Sequence, residues 1–276
     1  MKNIRIDYHT GTGGTKLVAE LLAEKLKNNN TNVEVNRIFR DKINGINEIN
    51  IDYYILIFPV HSFCAPKPIY EWIEHLAGNH CKTAVISVSG GGNVLSNTAS
   101  RVKTVKLLKK SNFNITFEEM IRMPNNWMKA PGKKKYTSIL SKLPNEIETI
   151  SQIVLAEKKQ RKIIYWIDYL LSALGELEKK STRKFGNRIN VLDTCNSCGL
   201  CAKNCCSSNI IIENQRPKIG SRCDMCLGCI YNCPRKALKP TYGAFQVDKK
   251  GYDLRLMCKN ANLESNFYPI IEIFTP

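Results

Sequence analysis

Two matching runs of cysteine constrain this 276-residue chain more than any other feature of its sequence. Each run has the spacing Cys-x-x-Cys-x-x-Cys-x-x-x-Cys, and a proline follows the second. Together they hold eight of the twelve cysteines: Cys195, Cys198, Cys201 and Cys205 in the first run, and Cys223, Cys226, Cys229 and Cys233 in the second. A repeated spacing of this kind indicates a shared ligand rather than isolated core residues.

The spacing favours iron–sulfur clusters. Three thiolates at two-residue intervals wrap one corner of an iron–sulfide cubane, and the fourth thiolate, three residues further on, faces the other cluster. We therefore expect two 4Fe-4S clusters, one held by Cys195, Cys198, Cys201 and Cys233, and the other by Cys223, Cys226, Cys229 and Cys205. Zinc fits less well because it favours two ligand pairs separated by a loop, and disulfide frameworks belong to small secreted chains. Cys206 is an alternative to Cys205 as a ligand.

This part of the chain, about its last third, resembles the bacterial two-cluster ferredoxins. The resemblance implies two strand–loop–helix–strand halves related by a pseudo-twofold axis. The stretch between the two cysteine runs also predicts a hairpin, because Ile210–Ile212 and Pro217–Ile219 flank a polar turn at Glu213–Arg216.

The amino-terminal stretch predicts a phosphate-binding loop. A strand-like segment ending at Tyr8 leads into a loop rich in glycine and threonine, and an amphipathic run from Leu17 to Leu26 follows. Lys16 followed by Leu17 does not fit a Walker A loop, and Lys16 replaces the third glycine of a dinucleotide fingerprint. A terminal monophosphate remains, and the residues predicted to surround it are Thr10, Gly11, Thr12, Gly13, Gly14 and Thr15. The alternative is an ordinary tight strand-to-helix turn.

Apolar segments downstream predict an α/β fold with a doubly wound parallel sheet. Strands are expected at 33–35, 53–58, 84–88 and 117–121, and helices at 69–76 and 99–109. Ligands of such sheets bind at the carboxyl ends of the strands. The segments 59–66 and 89–93 leave two strands at that end.

The Thr-x-Thr-Gly-x-Thr loop resembles the FMN-phosphate loop of flavodoxins. That resemblance implies that the segments 59–66 and 89–93 clasp the flavin ring, with contacts from Val60, His61, Phe63, Ser89, Gly90 and Gly91. Flavodoxins typically present an aromatic side chain in the second of these loops, where this chain has almost only glycine. Taken together, the two parts resemble the EFR-family flavodoxin–ferredoxin fusion proteins of anaerobic bacteria and archaea.

Four regions follow from these patterns. They are a flavodoxin-like FMN-binding domain (1–160), a helical connector (161–188), a two-cluster ferredoxin domain (189–240) and a carboxy-terminal tail without readable chemistry (241–276). The apolar segment Ile163–Leu171 in the connector is too short to span a bilayer. We expect it to be buried or to dock the cluster domain, with a helix lying on a membrane surface as the alternative.

The chain carries a formal net charge of +17, which predicts an acidic redox protein as its partner. Basic clusters occur at Lys133–Lys135, Lys158–Lys162 and Lys179–Lys184. No nucleic-acid-binding motif accompanies them, so nucleic acid is not expected as a partner. The cysteine content and the absence of a leader sequence predict a cytoplasmic location.

The resemblance implies a protein that relays electrons between FMN and the two clusters. One alternative is a ferredoxin-type carrier whose first domain is a flavin-free docking module. The other is a flavoenzyme that reduces a small organic acceptor. No catalytic residue can be identified from the sequence, so enzymatic activity stays open.

Overall fold

The computed structural model describes residues 1–28, 30–45 and 51–263. Its main element is a parallel sheet of five strands: β1 (Lys2–Tyr8), β2 (Thr31–Arg37), β3 (Tyr53–Pro59), β4 (Lys82–Ser89) and β5 (Asn114–Arg122). The strand order is β2-β1-β3-β4-β5, and all neighbouring pairs are parallel. This is the order of the flavodoxin-like doubly wound fold, so the predicted fold class is confirmed.

Helices cover both faces of the sheet. Those that precede the cysteine runs are α1 (Gly14–Leu26), α2 (Lys67–Glu74), α3 (Leu95–Thr98), α4 (Ser100–Lys110), α5 (Lys133–Leu140), α6 (Leu143–Leu155) and α7 (Trp166–Gly186). The central strand β3 is buried from Tyr53 to Phe58, as expected for a parallel strand covered on two sides. One core lies between the sheet and α1 with α6, and the other lies between the sheet and α2 with α4.

The cysteine runs belong to a smaller unit with short strands and helices. Its elements are β6 (Ile189–Val191), α8 (Leu200–Lys203), β7 (Ile210–Glu213), β8 (Arg216–Ile219), α9 (Gly228–Tyr231) and β9 (Leu238–Pro240). The predicted hairpin is confirmed, because β7 pairs antiparallel with β8. In addition, β6 pairs antiparallel with β9. Each pair joins a strand of the first half to a strand of the second. Neither half therefore completes its sheet alone.

The chain then returns to the first unit. The last described helix, α10 (Leu254–Asn260), contacts α5. Tyr252, Leu254 and Met257 lie in the core between the sheet and α1. The described part of the predicted tail thus completes the first unit, and residues 264–276 lie outside the described residues.

The prediction that the apolar segment Ile163–Leu171 is buried is wrong. Trp166 at the start of α7 is 77% exposed, and Tyr169 also faces solvent. The side facing the protein instead carries Asp168, which accepts hydrogen bonds from the Tyr165 amide at 2.9 Å and the Thr98 hydroxyl at 2.6 Å. This capping carboxylate fixes the polar side of α7 inward. No helix in the described parts of the chain is both long and apolar enough to cross a bilayer.

Candidate cofactor site

The loop between β1 and α1 has the form of an anion-binding cradle. Gly13, directly before α1, has a φ of 96°, a left-handed conformation that glycine adopts without steric cost. The Gly13 amide donates to the Thr10 hydroxyl oxygen at 3.1 Å, and the Thr12 hydroxyl accepts from the Asn126 side-chain amide at 2.8 Å. The amino terminus of α1 adjoins this loop, and the first backbone N–H groups and the dipole of a helix favour a negatively charged group there.

A cavity of about 450 Å³ lies beside this loop, at the carboxyl ends of the strands. The predicted FMN contacts that line it are Thr10, Gly11, Thr12, Gly14, Thr15, Val60, His61, Phe63, Ser89, Gly90 and Gly91. Gly13 is the one predicted contact that the lining does not include. The structure therefore brings three separate loops, predicted from sequence, to a single cavity.

Sequence reasoning missed a further loop that lines this cavity. It follows β5 and runs from Met123 to Trp127. The position of β5 next to β4 was the available signal, because loops leaving neighbouring parallel strands meet at the same edge of the sheet. Tyr252, in the carboxy-terminal segment, also lines the cavity, and its hydroxyl donates to the Pro124 carbonyl at 3.1 Å.

Helix α7 packs against the loop that follows β3. Ser62 and Phe63 adopt positive φ values of 45° and 62°, and His61 and Cys64 exchange backbone hydrogen bonds of 2.8 and 2.9 Å. Gly175 of α7 approaches the Ser62 carbonyl so closely that an added Cβ would collide with it. This glycine therefore allows α7 to support the loop that contains His61 and Phe63.

His9 directly precedes the phosphate loop in the sequence and is fully buried. Burial lowers the pKa of His9 to about 3, and nearby His61 and Arg37 contribute in the same direction. Neither ring nitrogen has a hydrogen-bond partner within the described part of the chain. The imidazole is therefore neutral at neutral pH and adds no positive charge to this side of the loop.

The two cysteine loops share one backbone conformation. Ser197 and Gly199 in the first loop have φ values of 59° and 73°, and the matching residues of the second loop, Met225 and Leu227, have 51° and 62°. The similarity extends to the last cysteine of each run: the Asn209 amide donates to the Cys205 sulfur, and the Ala237 amide donates to the Cys233 sulfur, both at 3.3 Å. Amide donors of this kind stabilise cysteine ligands of a cluster, so the local geometry fits the predicted role.

The structure brings cysteines of the two runs close to one another, and the two predicted ligand sets stay a prediction. A second cavity is lined by Cys195, Cys198, Cys201 and Cys233, although Cys233 belongs to the other run. In the other set, burial raises the pKa of the Cys223 thiol to about 12, and the neighbouring Asp224 and Cys205 raise it further. Burial also raises the pKa of Cys229, with contributions from Cys223, Cys205 and Cys201.

Cys205 and Cys206 have different neighbours, although both lie near Cys226. Cys205 is close to Cys223 and Cys229, whereas the Cys206 thiol is buried and donates to the Thr10 carbonyl at 3.0 Å. Ligation by Cys205 stays a prediction. Among residues 1–28, 30–45 and 51–263, no group of three or more His, Cys, Asp or Glu side chains is arranged to hold a metal ion.

The second cysteine loop packs directly on the phosphate loop. A Cβ added to Gly11 would lie 2.6 Å from the Cys226 Cβ, and one added to Gly228 would lie 2.5 Å from the Gly11 carbonyl oxygen. Asp224, Met225, Cys226 and Leu227 consequently line the first cavity. The second cysteine loop is therefore a wall of the candidate flavin site, whereas the first cysteine loop lines the second cavity.

Arg37, at the end of β2, links the two units. Its guanidinium donates to the carbonyls of Thr10 at 3.3 Å and Asn204 at 3.0 Å, and to the Cys206 sulfur at 3.1 Å. A planar guanidinium can serve several acceptors at once because its donors are fixed in a fork. One side chain thus connects the phosphate loop to the segment that carries Cys205.

Comparison with known proteins gives structural likeness only. No known family profile and no curated protein matches the chain. A short-chain flavodoxin associated with a non-canonical PDU bacterial microcompartment overlaps 56% of this chain and 98% of its own, at 12% identity and a TM-score of 0.38. A flavodoxin from Streptococcus pneumoniae TIGR4 overlaps 56% of this chain and 99% of its own, at 13% identity and a TM-score of 0.39.

A flavodoxin variant from Pseudomonas aeruginosa is similar over 57% of this chain and 99% of its own, at 12% identity and a TM-score of 0.41. These overlaps are too weak to support an argument about function. The strand order itself assigns the first unit to the flavodoxin-like fold class.

Proposed function

We propose that this chain is an electron-transfer protein that relays electrons between FMN and two 4Fe-4S clusters. The observation that supports this most is the shared wall: Met225, Cys226 and Leu227 line the same cavity as the Thr10–Thr15 loop. The predicted flavin site and one predicted cluster site are thus in contact. FMN exchanges one or two electrons and each cluster exchanges one, so this pairing would connect two-electron with one-electron chemistry.

The flavin-binding part of the proposal assigns roles to three loops. The hydroxyls of Thr10, Thr12 and Thr15, with the backbone amides at the start of α1, would hold the phosphate. The loops after β3 and β4 would flank the ring. The cavity volume of about 450 Å³ lies in the usual range for cofactor sites.

The cluster part of the proposal separates an inner site from an outer one. Cys223, Cys226, Cys229 and Cys205 would form the inner site, against the phosphate loop, and Cys195, Cys198, Cys201 and Cys233 would form the outer site. Cys198 is exposed, and the side chains of Lys203, Arg235 and Lys236 are exposed in the same unit. This outer site would exchange electrons with an acidic redox protein attracted by the positive charge.

Cofactor content tests the proposal directly. Anaerobically purified protein is denatured, and the released flavin is identified and quantified against iron and sulfide. We expect FMN at about one per chain with about eight irons, as two cubanes require. Clusters without flavin, even after incubation with FMN, would instead indicate a flavin-free docking module. Steady-state turnover of one small organic acceptor would indicate a flavoenzyme.

The phosphate loop has its own test. We expect the double variant Thr12→Val and Thr15→Val to bind FMN at least about tenfold more weakly, because each hydrogen bond to a charged group contributes about 1.5–3 kcal/mol. Thr149→Val, on the exposed side of α6, is the matched control. FMN affinity that is the same in all three proteins would refute the assignment of the phosphate loop.

A further inference from the structure

Helix α7 presents an exposed apolar face to solvent. Its exposed large residues, with the short segment before it, are Ile163, Tyr165, Trp166, Tyr169, Leu170, Leu174 and Leu177. From Trp166 onward they recur at intervals of three and four residues, which places them on one side of the helix. A helix at the surface of a water-soluble domain normally turns such a face inward. The orientation of α7 therefore indicates a binding surface.

Polar contacts on the other side of α7 lock this orientation. Asp168 and Ser172 are buried; Asp168 accepts from Thr98, and the Ser172 carbonyl accepts from the Cys64 thiol at 3.3 Å. Gly175 lies against the Ser62 carbonyl, where no larger residue fits. Rotation of the helix to bury its apolar face would break all three contacts. The apolar face is thus a fixed feature of the fold.

Positive charge flanks this face at both ends. Lys158 and Lys159 are exposed shortly before α7, and Arg183 and Lys184 are exposed in its last turn. The acidic Glu176 is paired with Lys103 at 3.0 Å, which offsets its charge. The side chains of residues 178–181 lie outside the described part of the chain.

This charge arrangement distinguishes between two possible partners of the exposed face of α7, a second copy of the chain and an anionic lipid surface. If two copies paired through α7, basic ends would meet in both the parallel and the antiparallel arrangement, and the net charge of +17 would add to the repulsion. An anionic lipid surface would interact favourably with each of these features. Tryptophan and tyrosine side chains bind in the headgroup region, and leucine side chains enter the boundary of the acyl chains. Lysine and arginine side chains are attracted to lipid phosphates. We propose that the exposed face of α7 binds the surface of an anionic membrane, with the helix lying parallel to it.

Vesicle binding by the cofactor-loaded full chain tests this proposal. We expect co-sedimentation with vesicles of phosphatidylcholine mixed with phosphatidylglycerol, and much weaker binding to phosphatidylcholine alone. Trp166→Glu combined with Leu170→Glu should weaken binding at least tenfold. Phe245→Glu is the matched control, because Phe245 is 69% exposed but lies outside this face. Lys158→Gln with Lys159→Gln should weaken binding several-fold and reduce its dependence on salt.

Three results would overturn the proposal. The first is no binding to the anionic vesicles. The second is equal binding by the Trp166/Leu170 variant and the native chain, which would make the attraction purely electrostatic. The third is a dimer in light scattering that the same variant dissociates, which would assign the face to a second copy. Unchanged flavin content and thermal unfolding of the variants show that folding is retained, so membrane binding is judged independently of the relay.

Discussion

The two cysteine loops have the same local structure and very different surroundings. Both have left-handed residues at matching positions and an amide donor to the last cysteine of the run. Only the second loop, Cys223–Cys229, packs on the phosphate loop and lines the candidate flavin cavity. The first loop contains the exposed Cys198. Local sequence thus determines the shape of a cysteine loop, whereas contacts with residues distant in sequence determine which cavity that loop lines.

The largest expected difference between the loops is kinetic. Cys226→Ala and Cys198→Ala should each remove one cluster, lowering iron from about eight to about four per chain. Cys226→Ala should also slow oxidation of the reduced flavin by the protein's own clusters by orders of magnitude, because it removes the site next to the cavity. Cys198→Ala should retain that fast phase. Stopped-flow absorbance checks this, and equal rates in the two variants would eliminate the distinction between inner and outer sites.

The next effect concerns the link between the units. Arg37→Met removes the guanidinium contacts to Thr10, Asn204 and Cys206. We expect a loss of about 2–4 kcal/mol in unfolding free energy, because hydrogen bonds to a charged group contribute about 1.5–3 kcal/mol each and are not additive. Arg255→Met, on the exposed side of α10, should change stability by less than about 0.5 kcal/mol. Denaturant unfolding of both variants provides the comparison.

A smaller effect should follow from crowding at the contact between the loops. Gly11→Ala places a Cβ 2.6 Å from the Cys226 Cβ, so the two loops must separate slightly. Overpacking of this kind costs about 1–3 kcal/mol. Gly132→Ala is the control, because a Cβ there meets nothing within 4 Å. A thermal midpoint for Gly11→Ala equal to that of the control would contradict the close contact.

The smallest effect tests the shared backbone conformation. Gly199 and Leu227 occupy matching left-handed positions, but Leu227 is buried and Gly199 has no neighbour within 4 Å of an added Cβ. Gly199→Ala should therefore cost about 1 kcal/mol from backbone strain alone, without a clash. The thermal midpoint should fall by a few degrees relative to Gly132→Ala. No change would indicate that the first loop is not held in this conformation.

Much of the fold was predictable because it depends on local patterns. The apolar run from Tyr53 to Phe58 identified a strand covered on both faces, and the glycine and threonine loop identified the start of α1. The spacing of the cysteines predicted that Cys233 would lie with Cys195, Cys198 and Cys201, and all four line one cavity. These features depend on periodicity and spacing, which the sequence contains directly.

Contacts between distant segments were not predictable in the same way. Nothing near Asn126 indicates that its amide contacts Thr12, or that its carbonyl accepts from the Tyr231 hydroxyl at 3.0 Å. The orientation of α7 was predicted wrongly because an apolar periodic face is normally buried. Asp168 and Gly175 reverse that preference, through a cap and a close backbone approach that are visible only in three dimensions.

The return of the chain at α10 has a consequence for biosynthesis. Tyr252, Leu254 and Met257 complete the core of the first unit, yet the ribosome makes them after both cysteine runs. The nascent flavodoxin-like domain therefore stays incomplete until the segment with both cysteine runs has left the exit tunnel. Folding of the smaller unit and closure of the first domain's core consequently fall in the same interval after synthesis.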